Sequence, residues 1–192
     1  IQKVNKNIVL VVMSGRPLDL TWEDENIPAI VQAWQLGSRS GDAIAQVLYG
    51  DYNPSGKLTM SFPRNVGQVP VYYNFKNTGR PSTSIEQVTN SGYADVENSP
   101  LYSFGYGLSY TSFSYSNLSI DNDNMNKNSS IKASIELSNT GSGKGKEVVQ
   151  LYIRDVVGSI ARPMKELKGF KLIELNPGES TTVEFEIDNS LL

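Results

Sequence analysis

Four carboxylates, Asp19, Glu23, Asp24 and Glu25, gather beside Trp22. Glycosidic chemistry needs two carboxylates placed across one bond, and a neighbouring indole can stack on a sugar. A solvated loop or the first turn of a helix carries the same grouping, and that reading needs no further partner. Asp121-Asn122-Asp123-Asn124 has the look of a calcium loop. Counted from Asp121, however, the fifth, sixth and twelfth positions hold Met125, Asn126 and Lys132, where an EF-hand needs an oxygen ligand, Gly and Glu. A hairpin loop fits better. Gly37-Ser38-Arg39-Ser40-Gly41 precedes a helical pattern and would suit an anion at a helix start, but Asp42 stands where a phosphate loop has its lysine. A tight turn is the simpler reading. The stretch PLYSFGYGLSYTSFSY, 100–115, holds six of 18 aromatic residues. Sugar stacking, a strand core and a stiff joint between domains would each use such rings.

Other chemistry is absent by composition. The chain has no cysteine and no histidine, so disulfides, zinc-thiolate sites, thiol nucleophiles and His-dependent triads cannot arise within it. Net charge is -3, from 17 basic and 20 acidic residues with no basic block, which leaves no electrostatic footprint for nucleic acid. The apolar run Ile8–Met13 follows Lys3 and Lys6 but is short for a signal peptide, and no segment is long enough to span a bilayer. The sequence therefore predicts no cofactor, no metal, no nucleic acid and no membrane partner. Starting on Ile1 beside a buried-looking run, it reads as a piece of something longer.

The elements that would position these residues fall into two classes. Residues 1–66 read as α/β. Ile8–Met13 has the continuous β-branched pattern of a parallel strand covered on both faces. Ala29–Trp34 is a second strand, and Lys57–Phe62 a third, short one. A helix fits Gly41–Tyr49, with Ser40 as its cap, Ile44, Val47 and Leu48 on one face, and Gly50 at its stop. One helix and about three strands cannot close a doubly covered sheet, so this is the tail of a larger domain. Residues 67–114 read as a long linker, with prolines, glycines and a polar stretch from Ser82 to Asn98.

From Tyr115 the period becomes two. Ile131, Ala133, Ile135 and Leu137 alternate with polar residues, as do Val149, Leu151 and Ile153, and Val183, Phe185 and Ile187. Ser116–Ile120 and Leu167–Leu175 complete about five strands. The fold class is thus an α/β tail followed by an all-β segment, an antiparallel sandwich of the immunoglobulin or fibronectin type III kind over residues 115–192. Such a sandwich has about seven strands, so this one reads as truncated at its C-terminus. Unpaired strand edges predict poor behaviour of the chain in isolation.

Four ordered stretches resemble glycoside hydrolase family 3, specifically its three-domain bacterial β-glucosidase-like members. They are IVLVVMSGRPL (8–18), AIAQVLYGDYNPSGKLTMSFP (43–63), PVYYNFKNTGRP (70–81) with PLYSFGYGLSYTSF (100–113), and KEVVQLYIRDVVGSIARPMKELKGFKLIELNPG (146–178). The resemblance implies the end of the family's α/β sandwich domain, its linker and its fibronectin type III-like domain. It implies a parent that hydrolyses terminal β-linked glucose or a similar sugar with retention, using two carboxylates. The family's nucleophile is an aspartate of an N-terminal barrel, often before tryptophan. Neither Trp22 nor Trp34 follows an aspartate, and the acid/base glutamate of the family lies upstream of residues 8–18. No catalytic residue is therefore assigned, and the chain alone is expected to be inactive.

The resemblance implies a periplasmic or extracellular location, an oligosaccharide substrate reached through the parent and a missing N-terminal barrel as partner. A homodimer is compatible with it. Tyr73, Asn74, Lys76 and Arg80 are the residues it offers for substrate binding at the distant edge of a site; they would equally pin the linker to the barrel. Phe75 stands where relatives have histidine, which removes a hydrogen-bond donor and keeps a ring. Arg39 replaces an acidic or small residue. In the 100–115 stretch, Leu108, Tyr110 and Phe113 are expected to form a buried seam between domains. Two rival readings remain: a non-catalytic carbohydrate-binding module, which would bind soluble glucan alone, and a structural or interaction module, whose removal would leave turnover unchanged.

Overall fold

The computed structural model describes residues 1–80 and 91–192. Most of the polar stretch expected from Ser82 lies outside them. The chain forms two compact units. The first holds Ile1–Tyr52, Leu58–Tyr73 and Asn77–Tyr106, and the second Asn53–Lys57, Asn74–Lys76 and Gly107–Leu192.

In the first unit, β1 (Val9–Val12) and β2 (Ala29–Gln32) pair in parallel, with Val9 opposite Ala29 and Val12 opposite Gln32. The short helix α1 (Thr21–Asn26) crosses between them, as parallel pairing requires. Val12, Leu20 and Phe62 are buried, with Leu10, Leu18, Ile30, Trp34, Leu58, Leu101 and Tyr102 packed on them. Several expectations change here. Val9 is 49% exposed and Met13 58%, so β1 is not covered on both faces along its length. The strand from Ala29 ends at Gln32 because Trp34 takes a left-handed φ of 49°, which no strand continues. Lys57–Phe62 is not a strand. It meets 101–106 through an isolated bridge of Phe62 with Tyr102 and through hydrogen bonds of Leu58 with Tyr106 and Gly105.

Helix α2 (Ser40–Leu48) is the expected one, and Gly50 at φ 83° stops it. Ser40 does not cap it. A 3-10 turn, Gly37–Arg39, runs straight into the helix, so Ser40 already has helical angles and Arg39 occupies the cap without a side-chain bond.

The second unit is an antiparallel sandwich. β3 (Phe113–Ile120), β4 (Ile131–Asn139) and β7 (Ser180–Ile187) form one sheet in the order β3-β4-β7. β5 (Gly145–Ile153) and β6 (Glu166–Leu175) form the other. The period-two pattern sets the facing. Leu137, Val149, Leu175 and Val183 form the buried core, with Phe113, Ile135, Ile173 and Phe185 against them. Asn117, at φ 54°, marks a bulge in β3 where pairing with β4 shifts between Ser116 and Ser119. Phe113 belongs to this core. Leu108 and Tyr110 are 73% and 57% exposed, so they do not form the buried seam expected of them. The backbone there is held from the other side, by Asn53 on the amide of Tyr110.

Candidate functional site

The four residues singled out for substrate binding are divided between the units. Tyr73 and Arg80 belong to the first, Asn74 and Lys76 to the second. Tyr73 is half-buried and lies on Phe104, with ring centroids 4.1 Å apart and planes 13° apart. The stack packs one face of the Tyr73 ring against Phe104. Asn74 is exposed. Lys76 forms an isolated bridge with Pro163, and the Phe75 carbonyl accepts from the Met164 amide at 2.8 Å. The Phe75 ring is 56% exposed. Arg80 is exposed, with its carbonyl accepting from the Ser91 amide at 3.0 Å.

The acidic group beside Trp22 sits on α1 and the residues before it. Asp19, Thr21, Trp22, Glu23, Glu25 and Arg64 line an open cleft of about 450 Å³. Asp19 accepts from the Thr21 amide, and the Thr21 hydroxyl donates to the Arg64 carbonyl at 2.7 Å. Arg64 is already engaged, with Glu97 at 3.3 Å and the Ser99 carbonyl at 3.1 Å. Asp24 leaves the cleft group to accept from the Tyr102 hydroxyl. Burial, with Asp24 beside it, pushes the Tyr102 phenol well above its ordinary range. Glu23 and Asp24 are first-turn residues of α1 and Asp19 lies in the loop before it, as the simpler reading had it.

The other motifs also resolve as local structure. The Arg39 guanidinium is taken by Asp42 at 2.8 Å. Asp121 accepts from the Lys132 amide, and Asn122 from the Asn124 amide, as hairpin-loop residues do. Among the described residues no group of acidic side chains is placed to hold a metal ion. No described helix is long and apolar enough to cross a membrane. The first rings of the aromatic stretch, Tyr102 to Tyr106, pack within the first unit. Tyr106 stacks on Tyr102 at 5.4 Å, Tyr102 meets Phe62 edge-on at 6.1 Å, and Phe62 meets Trp34 at 5.8 Å.

The most constrained polar chemistry lies in the second unit, at residues the sequence reading passed over. Glu147 alternates with Gly145 and Val149 on the inward face of β5 and is 8% exposed. Its carboxylate meets Lys57 Nζ at 3.0 Å and accepts from the Tyr115 hydroxyl at 2.9 Å. Lys57 also donates to the Gly107 carbonyl at 2.8 Å. Burial, then the Glu147 charge, pushes the Tyr115 phenol well above its ordinary range. Four residues before Lys57, Asn53 accepts from Ser109 Oγ and the Tyr110 amide, each at 2.8 Å, and donates to the Lys144 carbonyl. Asn139 is 1% exposed and fully bonded. It donates to the Gly143 and Leu175 carbonyls and accepts from Thr111 Oγ1 and the Gly141 amide. The signal for Glu147 was its parity: a charge in phase with Val149. These bonds tie the 53–57 turn, the 107–115 segment and β5 together within the second unit.

Residues 1–110 match the family described as glycosyl hydrolase family 3 C-terminal domain, and residues 147–192 match the fibronectin type III-like domain. A periplasmic beta-glucosidase of Salmonella typhimurium is 50% identical over 189 residues, 98% of this chain and 25% of that protein. A beta-xylosidase of Formosa agariphila is 46% identical over 97% of this chain and 25% of its own length. The crystal structure of a mutant beta-glucosidase from Listeria innocua in complex with laminaribiose is similar at a TM-score of 0.90 and 41% identity. It covers 99% of this chain, which spans 26% of it. The chain thus spans about a quarter of the length of the curated relatives it matches.

Proposed function

The chain belongs to the glycosyl hydrolase family 3 C-terminal domain family, and on that premise we propose that it is the C-terminal portion of a retaining glycoside hydrolase. The parent removes terminal β-linked glucose or a similar sugar from oligosaccharides. This portion scaffolds the enzyme and carries neither member of the catalytic pair. The observation that supports this most is continuity: 98% of the chain aligns, at 50% identity, with one quarter of a beta-glucosidase.

The proposed parts are residues 1–66 as the end of the α/β sandwich domain, 67–114 as linker and 115–192 as the truncated fibronectin type III-like domain. The partner of the first is an N-terminal barrel that supplies the aspartate nucleophile. Tyr73, Asn74, Lys76 and Arg80 reach toward the outer end of a bound oligosaccharide, where Lys and Arg donate to hydroxyls. The location is periplasmic or extracellular.

The test is to read the parent gene upstream of Ile1 and assay its product. An upstream barrel and hydrolysis of an aryl β-glucoside or β-xyloside are expected, with the 192-residue chain inactive alone. No barrel upstream ends the proposal. In the parent, Arg80→Ala should raise KM for a disaccharide more than for a short aryl glycoside. An equal effect on both would leave Arg80 as a linker pin.

A further inference from the structure

The loop between β5 and β6 carries three exposed aliphatic side chains at its tip: Val156 at 75%, Val157 at 88% and Ile160 at 65%. A single exposed aliphatic is ordinary, but a group of them on one projecting loop marks an interaction site. The loop is braced. Asp155 accepts from the Val157 amide at 3.2 Å and pairs with Arg162 at 3.7 Å. A Cβ on Gly158 would lie 2.9 Å from Asp155 Oδ2, so the turn is closed tightly. At the base, Pro163 bridges Lys76 and the Met164 amide donates to the Phe75 carbonyl at 2.8 Å. A loop held in this way loses little entropy when it engages a surface.

Charge and residue type say what that surface is. From Arg154 to Lys165 there are three cations and one carboxylate, Asp155, which Arg162 neutralises. Arg154 and Lys165 are exposed where the loop leaves the strands, and Lys76 lies at its base. The chain as a whole has a net charge of -3, so this cationic excess is local. The favoured partner is therefore anionic. Valine is under-represented among the side chains that dominate protein interfaces, where Trp, Tyr and Arg anchor into shaped pockets. Acyl chains need no such fit. An aliphatic tip behind a collar of cations suits insertion at a lipid surface, with the charged groups left among the headgroups. Such contact is made from one side and needs no membrane-spanning segment.

We infer that the Val156–Ile160 tip is a membrane-surface anchor. It inserts its aliphatic side chains into a lipid surface rich in anionic headgroups, and Arg154, Lys165 and Lys76 meet those headgroups. The contact uses the second unit alone and does not depend on the reaction of the parent.

Flotation of the 192-residue chain with lipid vesicles tests this, because aggregated protein sinks while bound protein rises. The chain should float with vesicles of phosphatidylglycerol and phosphatidylcholine in equal parts. It should float much less with phosphatidylcholine alone, and added salt should weaken the binding. Val156→Ser with Val157→Ser should lose affinity on the order of tenfold or more. Arg154→Gln with Lys165→Gln should lose a similar factor, on the order of tenfold. Circular dichroism checks that both variants keep the fold. The chain has no cysteine, so Val157→Cys takes a single polarity-sensitive nitrobenzoxadiazole label without further change. That label should shift to the blue and brighten on the anionic vesicles. The same label on Ser142→Cys, at the other end of β5, should not respond. A chain that stays with the dense fraction overturns the inference, as capture by an acidic protein surface instead of lipid would require. So does flotation that neither variant weakens, and so does a label at 157 that remains in water. In the parent, a label at 157 already shielded from iodide without vesicles also overturns it, because the rest of the protein then covers the tip.

Discussion

Lys57 and Glu147 form an ion pair at 3.0 Å with only 15% and 11% of their side chains exposed, and 90 positions separate them in the sequence. Tyr115 completes the carboxylate's partners and the Gly107 carbonyl takes another ammonium proton. A pair this sheltered is strongly asymmetric in its energetics. Removing one partner leaves an uncompensated charge, at about 3–5 kcal/mol. Replacing both by apolar residues of similar size removes the attraction and the desolvation cost together. Lys57→Met and Glu147→Leu should therefore each lower urea-unfolding stability by that amount, and the double variant by much less than their sum. Simple additivity in the double-mutant cycle would show that the two charges do not act on each other.

Asn53 holds two backbone segments by three bonds, to Ser109, Tyr110 and Lys144. Asn53→Ala removes them all, and at about 1 kcal/mol per neutral hydrogen bond the loss should approach 3 kcal/mol. Asn53→Asp keeps both acceptor bonds and loses only the donation to Lys144, so its loss should be about a third as large. Thermal unfolding of the two variants checks the ranking. Equal losses would mean that the Lys144 bond carries the whole effect.

The strands of the sandwich were legible because period-two alternation is imposed by the pleat itself, residue by residue. β6 was expected at Leu167–Leu175 and is Glu166–Leu175. Helix α2 was equally legible from its apolar face and Gly50. What failed was of another kind. Trp34 leaves β2 through a left-handed turn that its own residue type disfavours, so only the surrounding packing can explain it. Lys57 looked like part of a strand because its role is fixed by Glu147, far along the chain. Leu108 and Tyr110 looked buried because they lie in a ring-rich stretch, yet both are exposed, and what holds the chain there is the bond of the Tyr110 amide to Asn53. Of the candidate site, Tyr73 could be seen as a ring in an aromatic-rich segment. Its stack on Phe104 could not, since pairing of rings has no signature in spacing.

The alkaline limb of stability should report Tyr115. Its phenol is raised by burial and by Glu147, so the folded state holds the proton more tightly than the unfolded chain. A group with a raised folded pKa stabilises fully below its unfolded value and loses that contribution as pH climbs toward the folded one. Stability should therefore begin to fall near pH 10, about the value of an unperturbed phenol. Tyr102 acts in the same direction. Tyr115 is 46% exposed, so solvent weakens its bond to Glu147. Tyr115→Phe should be less stable at neutral pH by about 1 kcal/mol, and flatter above about pH 10. Unfolding curves between pH 8 and about 11 check both. An unchanged slope in the Phe variant would mean that Tyr115 ionises in the folded state as it does in the unfolded chain.

Gly107 lies within the ring-rich stretch, directly after Tyr106. A Cβ there would lie 2.3 Å from the Gly56 carbonyl oxygen and 3.1 Å from the Lys57 side chain. The first contact is with backbone and cannot be relieved by a rotamer. Gly107→Ala must therefore displace the 53–57 turn. Overpacking of this kind costs about 1–3 kcal/mol, and here it acts at the residue whose carbonyl receives Lys57. The displacement should loosen the Lys57–Glu147 pair as well. Placed on a Lys57→Met/Glu147→Leu background, Gly107→Ala should then cost less than on the unaltered chain. Gly79→Ala is the control. No atom lies within 4 Å of a Cβ there, but its φ of 76° strains any side chain, so its cost should be independent of the pair. Urea denaturation of the four variants separates the cases, and an identical cost for Gly107→Ala on both backgrounds would show that its strain does not reach Lys57.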